Sequence, residues 1–279
     1  MSWLSLRARA GGCRDAALAA LFAAGSQGVH EDGDALVTHF PDGSSAEAAR
    51  RAVLGACPGA EVELTPLPDV DWTESWKKGV RAHRLGALTV APPWLAGEHD
   101  AATTIVIEPA MGFGTGEHAT TRGVVRLMQG VVRAGDDVAD LGAGSAVLSI
   151  AAAKLGAARV AAIEMDPEAI GNAEENVARN AAGGRVRVLE GDAAVLLPLV
   201  APVRVVLANI ISSVLVELLP VIERALAPGG EAILSGILGT ERDAMLGVLG
   251  ERGWLAVAED HEDAWWSVHV VRASGADGR

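Results

Sequence analysis

The run Val138-Ala139-Asp140-Leu141-Gly142-Ala143-Gly144-Ser145 constrains this chain more than any other stretch of it. An apolar strand that ends in Asp-Leu-Gly-Ala-Gly must turn tightly into the element that follows, and glycine permits that turn while leaving room for a ligand. The next apolar run, Ala161-Ala162-Ile163, closes on Glu164. A carboxylate about 20 residues beyond such a turn can accept hydrogen bonds from both hydroxyls of a ribose. Turn and acid together point to a nucleoside-containing ligand held at strand ends.

From Thr103 onward the pattern alternates. Strands are predicted over 104–107, 137–140, 159–163, 186–189, 203–208 and 231–234, with helices over 120–129, 145–155, 167–180 and 211–226 between them. Such alternation builds a mostly parallel sheet covered on both faces. The end differs: a helix over 240–250 precedes strands over 255–259 and 265–271 that are too close for a helical crossover, so they should pair antiparallel at the sheet edge. The tail over 273–279 reads as frayed.

A chain of 279 residues exceeds the usual single-domain size of about 100 to 150 residues. The first 66 residues read strand, helix, strand, strand, helix, strand, with a hairpin signal at Asp32-Gly33, which is the order of a ferredoxin-like domain. Pro66-Leu67-Pro68 marks a boundary, since proline removes donors and favours extended neighbours. Asp71-Trp72-Thr73-Glu74-Ser75-Trp76 then looks like a capped helix start with both indoles on one face, either packed against a neighbouring domain or in direct contact with a substrate. The expected organisation is a ferredoxin-like domain over 1–66, a linker with a short helix over 67–102 and an α/β domain over 103–274.

A net charge of -13 argues against a nucleic-acid partner, because duplex binding rests on basic side chains neutralising phosphates. No run of about 18 uninterrupted apolar residues exists to span a membrane. Arg7, Arg9 and Arg14 ahead of the alanine-rich 16–24 resemble an export signal only faintly, since Asp15 interrupts the junction. Cys13 and Cys57, far apart and outside any Cys-x-x-Cys setting, read as reduced thiols of a cytoplasmic protein. The histidines show no metal-ligand spacing, and no Gly-x-Ser-x-Gly elbow occurs.

Polar residues at the carboxyl ends of the strands are the next candidates. Asp166 before Pro167 suits a helix cap. Asp192 suits either a cap or a contact to an adenine amine, and Asn209 either a cap or a carboxamide at the reaction centre. The loop Gly112-Phe113-Gly114-Thr115-Gly116-Glu117-His118-Ala119-Thr120-Thr121 opens another helix with the glycines and hydroxyls of an anion-friendly start. His118 by itself is a weak candidate for a base.

Taken together, these motifs resemble the class I S-adenosylmethionine-dependent methyltransferases, and within them the ribosomal protein L11 methyltransferase family. The family pattern Phe-Gly-Thr-Gly-Thr-His-Pro-Thr-Thr is matched over 113–121, Asp-x-Gly-Cys-Gly-Ser-Gly over 140–146, the acidic-x-Asp-Pro turn over 164–167 and Ala-Asn-Ile over 208–210. The likeness extends to the segment with Trp72 and Trp76, to Pro93-Trp94 and to Leu234-Ser235-Gly236-Ile237-Leu238. It implies a class I methyltransferase Rossmann-like sheet, mostly parallel with an antiparallel last strand, and a small N-terminal α+β ferredoxin-like domain that grips the substrate protein. Thr121, Gly142, Glu164 and Asn209 would contact S-adenosylmethionine, Gly144 would shape the same turn, and Phe113 would lie in the loop over it. Asn209 would orient the reacting groups, and no residue stands out as general base. The acceptor implied is ribosomal protein L11, at lysine side chains or the N-terminus, in the cytoplasm.

The chain departs from the pattern at Glu117, Ala119, Ala143 and Ala146, which stand where the family carries threonine, proline, cysteine and glycine. Another protein or small-molecule amine is the alternative acceptor. A dinucleotide-dependent oxidoreductase would need a third glycine where Val147 stands, and a non-catalytic cofactor-binding protein would have no use for Asn209.

Overall fold

The computed structural model describes residues 3–26, 28–66, 79–109 and 114–273. The expectations for Trp72, Trp76, Phe113 and the tail beyond 273 lie outside the described residues. The chain forms two compact units, Met1–Gly79 and Val80–Arg279.

In the first unit β1 (Leu4–Arg9), β2 (His30–Asp32), β3 (Ala35–Phe40) and β4 (Glu61–Pro66) form an antiparallel sheet in the order β2-β3-β1-β4. Alternate residues Leu6, Ala8, Leu36 and Phe40 bury against Ala17 and Leu21 of α1 (Arg14–Ala23) and Ala49 and Val53 of α2 (Gly43–Ala56). Strand periodicity thus gives the sheet one apolar face, which the two helices cover. Asp42 starts α2 by accepting the Ser45 amide hydrogen at 2.9 Å. This is the ferredoxin-like order expected.

One expectation fails here. Cys13 and Cys57, read as separate reduced thiols, are joined as a disulfide with Cα atoms 6.0 Å apart. Sequence distance misled, because the split strand order brings the start of α1 and the end of α2 to one end of the unit.

In the second unit a seven-stranded sheet runs β10-β9-β8-β11-β12-β14-β13. Its strands are β8 (Asp137–Leu141), β9 (Arg159–Glu164), β10 (Val186–Glu190), β11 (Val203–Asn209), β12 (Leu226–Leu238), β13 (Trp254–Glu262) and β14 (Trp265–Arg272). The pairs from β10 to β12 are parallel, while β14 runs antiparallel to both β12 and β13. The central strands are apolar on both faces. Val138, Val160, Ala162, Val205 and Leu207 enter one core beneath α3 (Ala119–Met128), α4 (Val147–Lys154) and α5 (Pro167–Arg179). Ala139, Leu141, Ile163, Val206 and Ala208 enter the other beneath α6 (Ala193–Val200), α7 (Ser212–Ala225) and α8 (Arg242–Glu251). Burying such a side chain contributes roughly 1.5–3 kcal/mol.

A helix and a hairpin were not expected. Helix α6 is apolar throughout and contains Pro198, so it shows no amphipathic period to read. The segment 67–102, expected as a linker with one short helix, holds a hairpin of β5 (His83–Leu85) and β6 (Leu88–Ala91), and β6 pairs in parallel with β7 (Thr104–Val106). The short period-two signal there is easily missed, but Gly86, at φ +66°, supplies the tight turn. Gln129 secures it, accepting from the Ala87 amide and donating to the Leu85 carbonyl, both at 2.8 Å.

Candidate active site

Strand β8 has β9 on one side and β11 on the other, so the chain reverses direction of travel across the sheet between β8 and β11. Ligands of open α/β sheets bind outside the carboxyl ends of strands at such a switch point. The glycine turn leaves β8 there, and Asn209 closes β11 there.

The turn is built from left-handed backbone. Gly142 and Gly144 have φ of +68° and +52°, and a Cβ on Gly142 would lie 3.1 Å from Ile210 Cγ1. Ala146, where the family carries glycine, also adopts φ +64° as the residue before α4. For an L-residue with a Cβ this well costs roughly 1–2 kcal/mol. The departure is therefore tolerated at a price in strain, offset by complete burial of its methyl group.

Glu164 is tied into the turn. Its Oε2 accepts the Gly144 amide hydrogen at 2.8 Å, and its Oε1 accepts those of Met165 and Asp166 at 2.8 and 2.9 Å. A carboxylate has about four acceptor positions, so a further one remains on Oε2. The acid therefore braces the turn and can still take a hydroxyl. Beneath it, Asp140 is fully buried, accepts from Ser149 Oγ at 2.7 Å with one oxygen and has no hydrogen-bond partner on the other. Burial pushes its carboxyl up to about 7, against the lowering pull of Ser149, with Glu164 adding to the rise.

Asn209 does not cap the following helix: α7 begins at Ser212 after Ile211, with no side-chain cap bond. Its Nδ2 instead donates to Thr121 Oγ1 at 3.4 Å, and its Oδ1 is buried without a hydrogen-bond partner. Thr121 is itself fully buried. Asp166 and Asp192 are both caps, accepting the amide hydrogens of Glu168 at 2.9 Å and Ala194 at 2.8 Å. His118 caps α3 through Nδ1, and its ring meets Trp265 edge to face with centroids 4.8 Å apart. Burial, helped by the Arg122 charge, lowers its pKa and favours the neutral imidazole.

The loop entering α3 lies on this turn. Ser145 Oγ donates to the Gly114 carbonyl at 2.7 Å. Gly116, at φ +90°, sits against β6, where a Cβ would come within 2.6 Å of Val90 Cγ1. Glu117, another departure, faces β5: its Oε1 accepts from the Arg81 amide at 3.1 Å and lies 3.0 Å from His83 Nε2.

Sequence reading missed Asn176. It is fully buried on α5, donates to the Ser145 carbonyl at 3.2 Å and accepts the Glu108 amide hydrogen at 2.9 Å. The signal was present as Asn172, Asn176 and Asn180, one helical face at four-residue spacing. Among the described residues no group of acidic, histidine or cysteine side chains could hold a metal ion.

Fold and site together are those of a class I methyltransferase. The family model for ribosomal protein L11 methyltransferase (PrmA) matches residues 27–273, and the chain belongs to that family. The ribosomal protein L11 methyltransferase of Pelotomaculum thermopropionicum is 39% identical over 219 residues, covering 77% of this chain and 70% of that protein. That of Thermus thermophilus is 38% identical over 197 residues, covering 71% and 76%. A crystal structure of a ribosomal protein L11 methylase from Lactobacillus delbrueckii subsp. bulgaricus superposes with a TM-score of 0.59 at 26% identity, covering 70% of this chain and 100% of that one.

Proposed function

We propose that this protein moves methyl groups from S-adenosylmethionine to amines of ribosomal protein L11, on lysine side chains or the N-terminus, in the cytoplasm. The observation that carries this reading is the carboxamide oxygen of Asn209, buried and without a hydrogen-bond partner at the switch point. An unpaired buried acceptor costs roughly 1–3 kcal/mol, a cost relieved when an amine N–H is brought to it.

The residues present fit the cofactor. Gly142 and Gly144, both in left-handed backbone, would let its backbone-hugging part approach, and Glu164 would take a ribose hydroxyl on its remaining acceptor position. When bound, S-adenosylmethionine supplies a sulfonium methyl group already activated for in-line displacement. The protein's share is therefore alignment, which can be worth roughly 7–11 kcal/mol of barrier. Asn209 accepts from the acceptor amine and is held in plane by Thr121. The attacking amine must be neutral, and a lysine with reference pKa of about 10.4 loses its proton more readily out of water. The acidic chain, at net charge -13, suits a basic protein substrate.

The test is transfer of labelled methyl from S-adenosylmethionine into purified ribosomal proteins, read by mass spectrometry. Label should enter L11 and fall by ~10²-fold with Asn209→Ala, the size of loss expected when reacting groups are misplaced. Label in another protein with L11 unmarked would reassign the substrate, and none anywhere would defeat the reading.

A further inference from the structure

The proposed cofactor site is bordered by the backbone of residues 114–118, and the means by which that border is held lies far away in sequence. Arg122, one turn into α3, turns back to donate through Nη1 to the Gly116 carbonyl at 3.3 Å and to the Glu117 carbonyl. Its Nε donates to Glu262 Oε1 at 2.7 Å, from the end of β13, 140 residues on. Only 13% of the Arg122 side chain is exposed. The planar fork suits this task, because it can serve a carboxylate on one edge and carbonyls on the other.

Glu262 is itself held. Arg126, one turn further along α3, bonds Glu262 Oε2 at 2.6 Å and both oxygens of Asp260 at 2.5 and 2.7 Å. The two arginines and two acids thus bolt α3 to the β13 edge, and only Arg122 extends the network to the loop. On its far side the loop is fastened by Glu117, whose Oε1 accepts the Arg81 amide hydrogen at 3.1 Å.

We propose that Arg122, held by Glu262, is a positioning residue for methyl transfer: by gripping two successive carbonyls it sets the course of residues 114–118 over the glycine turn. The inference rests on the proposed use of the site for S-adenosylmethionine. Neither Arg122 nor Glu262 need touch the cofactor. Their effect travels through the Gly114 carbonyl to Ser145 and so to the turn.

The experiment compares the full-length protein with Arg122→Met, Arg122→Lys and Glu262→Gln. It reads amide exchange over 114–118 without ligand, then KM for S-adenosylmethionine and kcat with L11 as acceptor. Arg122→Met should speed exchange over 114–118 at least ~10-fold while 138–142 stays unchanged, and raise KM by ~10-fold with kcat held within ~3-fold. Arg122→Lys, which keeps a donor, should recover most of the loss, and Glu262→Gln should loosen the loop in the same direction by ~3-fold. Should Arg122→Met fail to fold, Glu262→Gln carries the same readings. Unchanged loop exchange and unchanged KM, with only a lower melting temperature, would overturn the proposal. Failure of the wild type to bind S-adenosylmethionine would instead overturn the proposed function, and the exchange measurement would still decide what Arg122 does to the loop.

Discussion

Gly236 lies so close to Ile210 that a Cβ on it would sit 2.4 Å from the Ile210 carbonyl oxygen and 2.7 Å from its carbonyl carbon. This glycine is where the pairing of β12 with β14 shifts register, and Ile210 follows Asn209 directly. Its φ of +83° also belongs to glycine's range. Gly236→Ala must therefore displace backbone, and the first backbone it meets is that of Ile210, next in the chain to the carboxamide of Asn209. Overpacking of this kind costs about 1–3 kcal/mol. We expect a lower melting temperature together with a fall in kcat, read by calorimetry and methyl-transfer kinetics. A variant as active as the wild type would separate Gly236 from the site.

Asp140 ties stability to pH. Its carboxyl is pushed up to about 7 in the folded protein, against about 3.9 in an unfolded chain. A raised folded pKa means its contribution is fully present below about pH 4 and is lost as pH rises through about 7, on the order of a few kcal/mol in all. Asp140→Asn cannot ionise and should remove this slope. The check is the melting temperature of both proteins from pH 4 to 8: the wild type should lose stability relative to the variant as pH rises. Parallel profiles would show that the carboxyl does not titrate there.

Removal of the Asn176 side chain should be costly. Alanine there leaves the Ser145 carbonyl and the Glu108 amide without their partner, and each unpaired buried group costs roughly 1–3 kcal/mol. A loss of about 2–4 kcal/mol would lower the melting temperature by about 5–15 °C in a unit of this size. Affinity for S-adenosylmethionine should fall as well, since Ser145 belongs to the turn. Denaturant unfolding and ligand titration measure the two effects.

Glu164→Ala should act on binding and folding at once. It removes the acceptor for the Gly144, Met165 and Asp166 amides as well as the acid proposed for the ribose. We expect S-adenosylmethionine affinity to drop by ~10²-fold, in line with loss of charge-assisted hydrogen bonds of about 1.5–3 kcal/mol, together with a fall in stability, because three amides lose their acceptor. Equilibrium dialysis against calorimetric melting separates them. A variant that melts lower but binds as before would confine Glu164 to bracing the turn.

What could be read from the chain beforehand was local. Asp140 to Ser145, Glu164 and Asn209 carry their meaning in short motifs at strand ends, and the fold delivers all of them to one switch point. The alternation of apolar runs with glycine-punctuated helices likewise needs no distant partner to interpret. Arg122 is different: its partner Glu262 stands 140 residues away, and nothing near it distinguishes a structural arginine from a solvated one. Cys13 and Cys57 were misread for the same reason, since pairing is a property of the folded arrangement. Strand β12 extends back to Leu226, ahead of the expected 231, but its pairing with β11 breaks between Leu226 and Glu231, so Pro228-Gly229-Gly230 bulges out of the ladder and the regular pairing starts at Glu231.

The asparagines of α5 and its end were legible but unread, and their geometry works as a gauge. Asn180 Oδ1 accepts the Val106 amide hydrogen at 2.8 Å while Asn176 Oδ1 accepts that of Glu108 at 2.9 Å. Four residues of helix rise about 6 Å, and two residues of extended chain advance about 6.6 Å, so the two spacings are nearly commensurate. Helix and extended segment therefore engage like rack and pinion, tooth for tooth. A single residue inserted between Asn176 and Asn180, or deleted from 106–108, would throw both teeth out of mesh at once, so this stretch of the chain should tolerate exchange of side chains far better than any change of length.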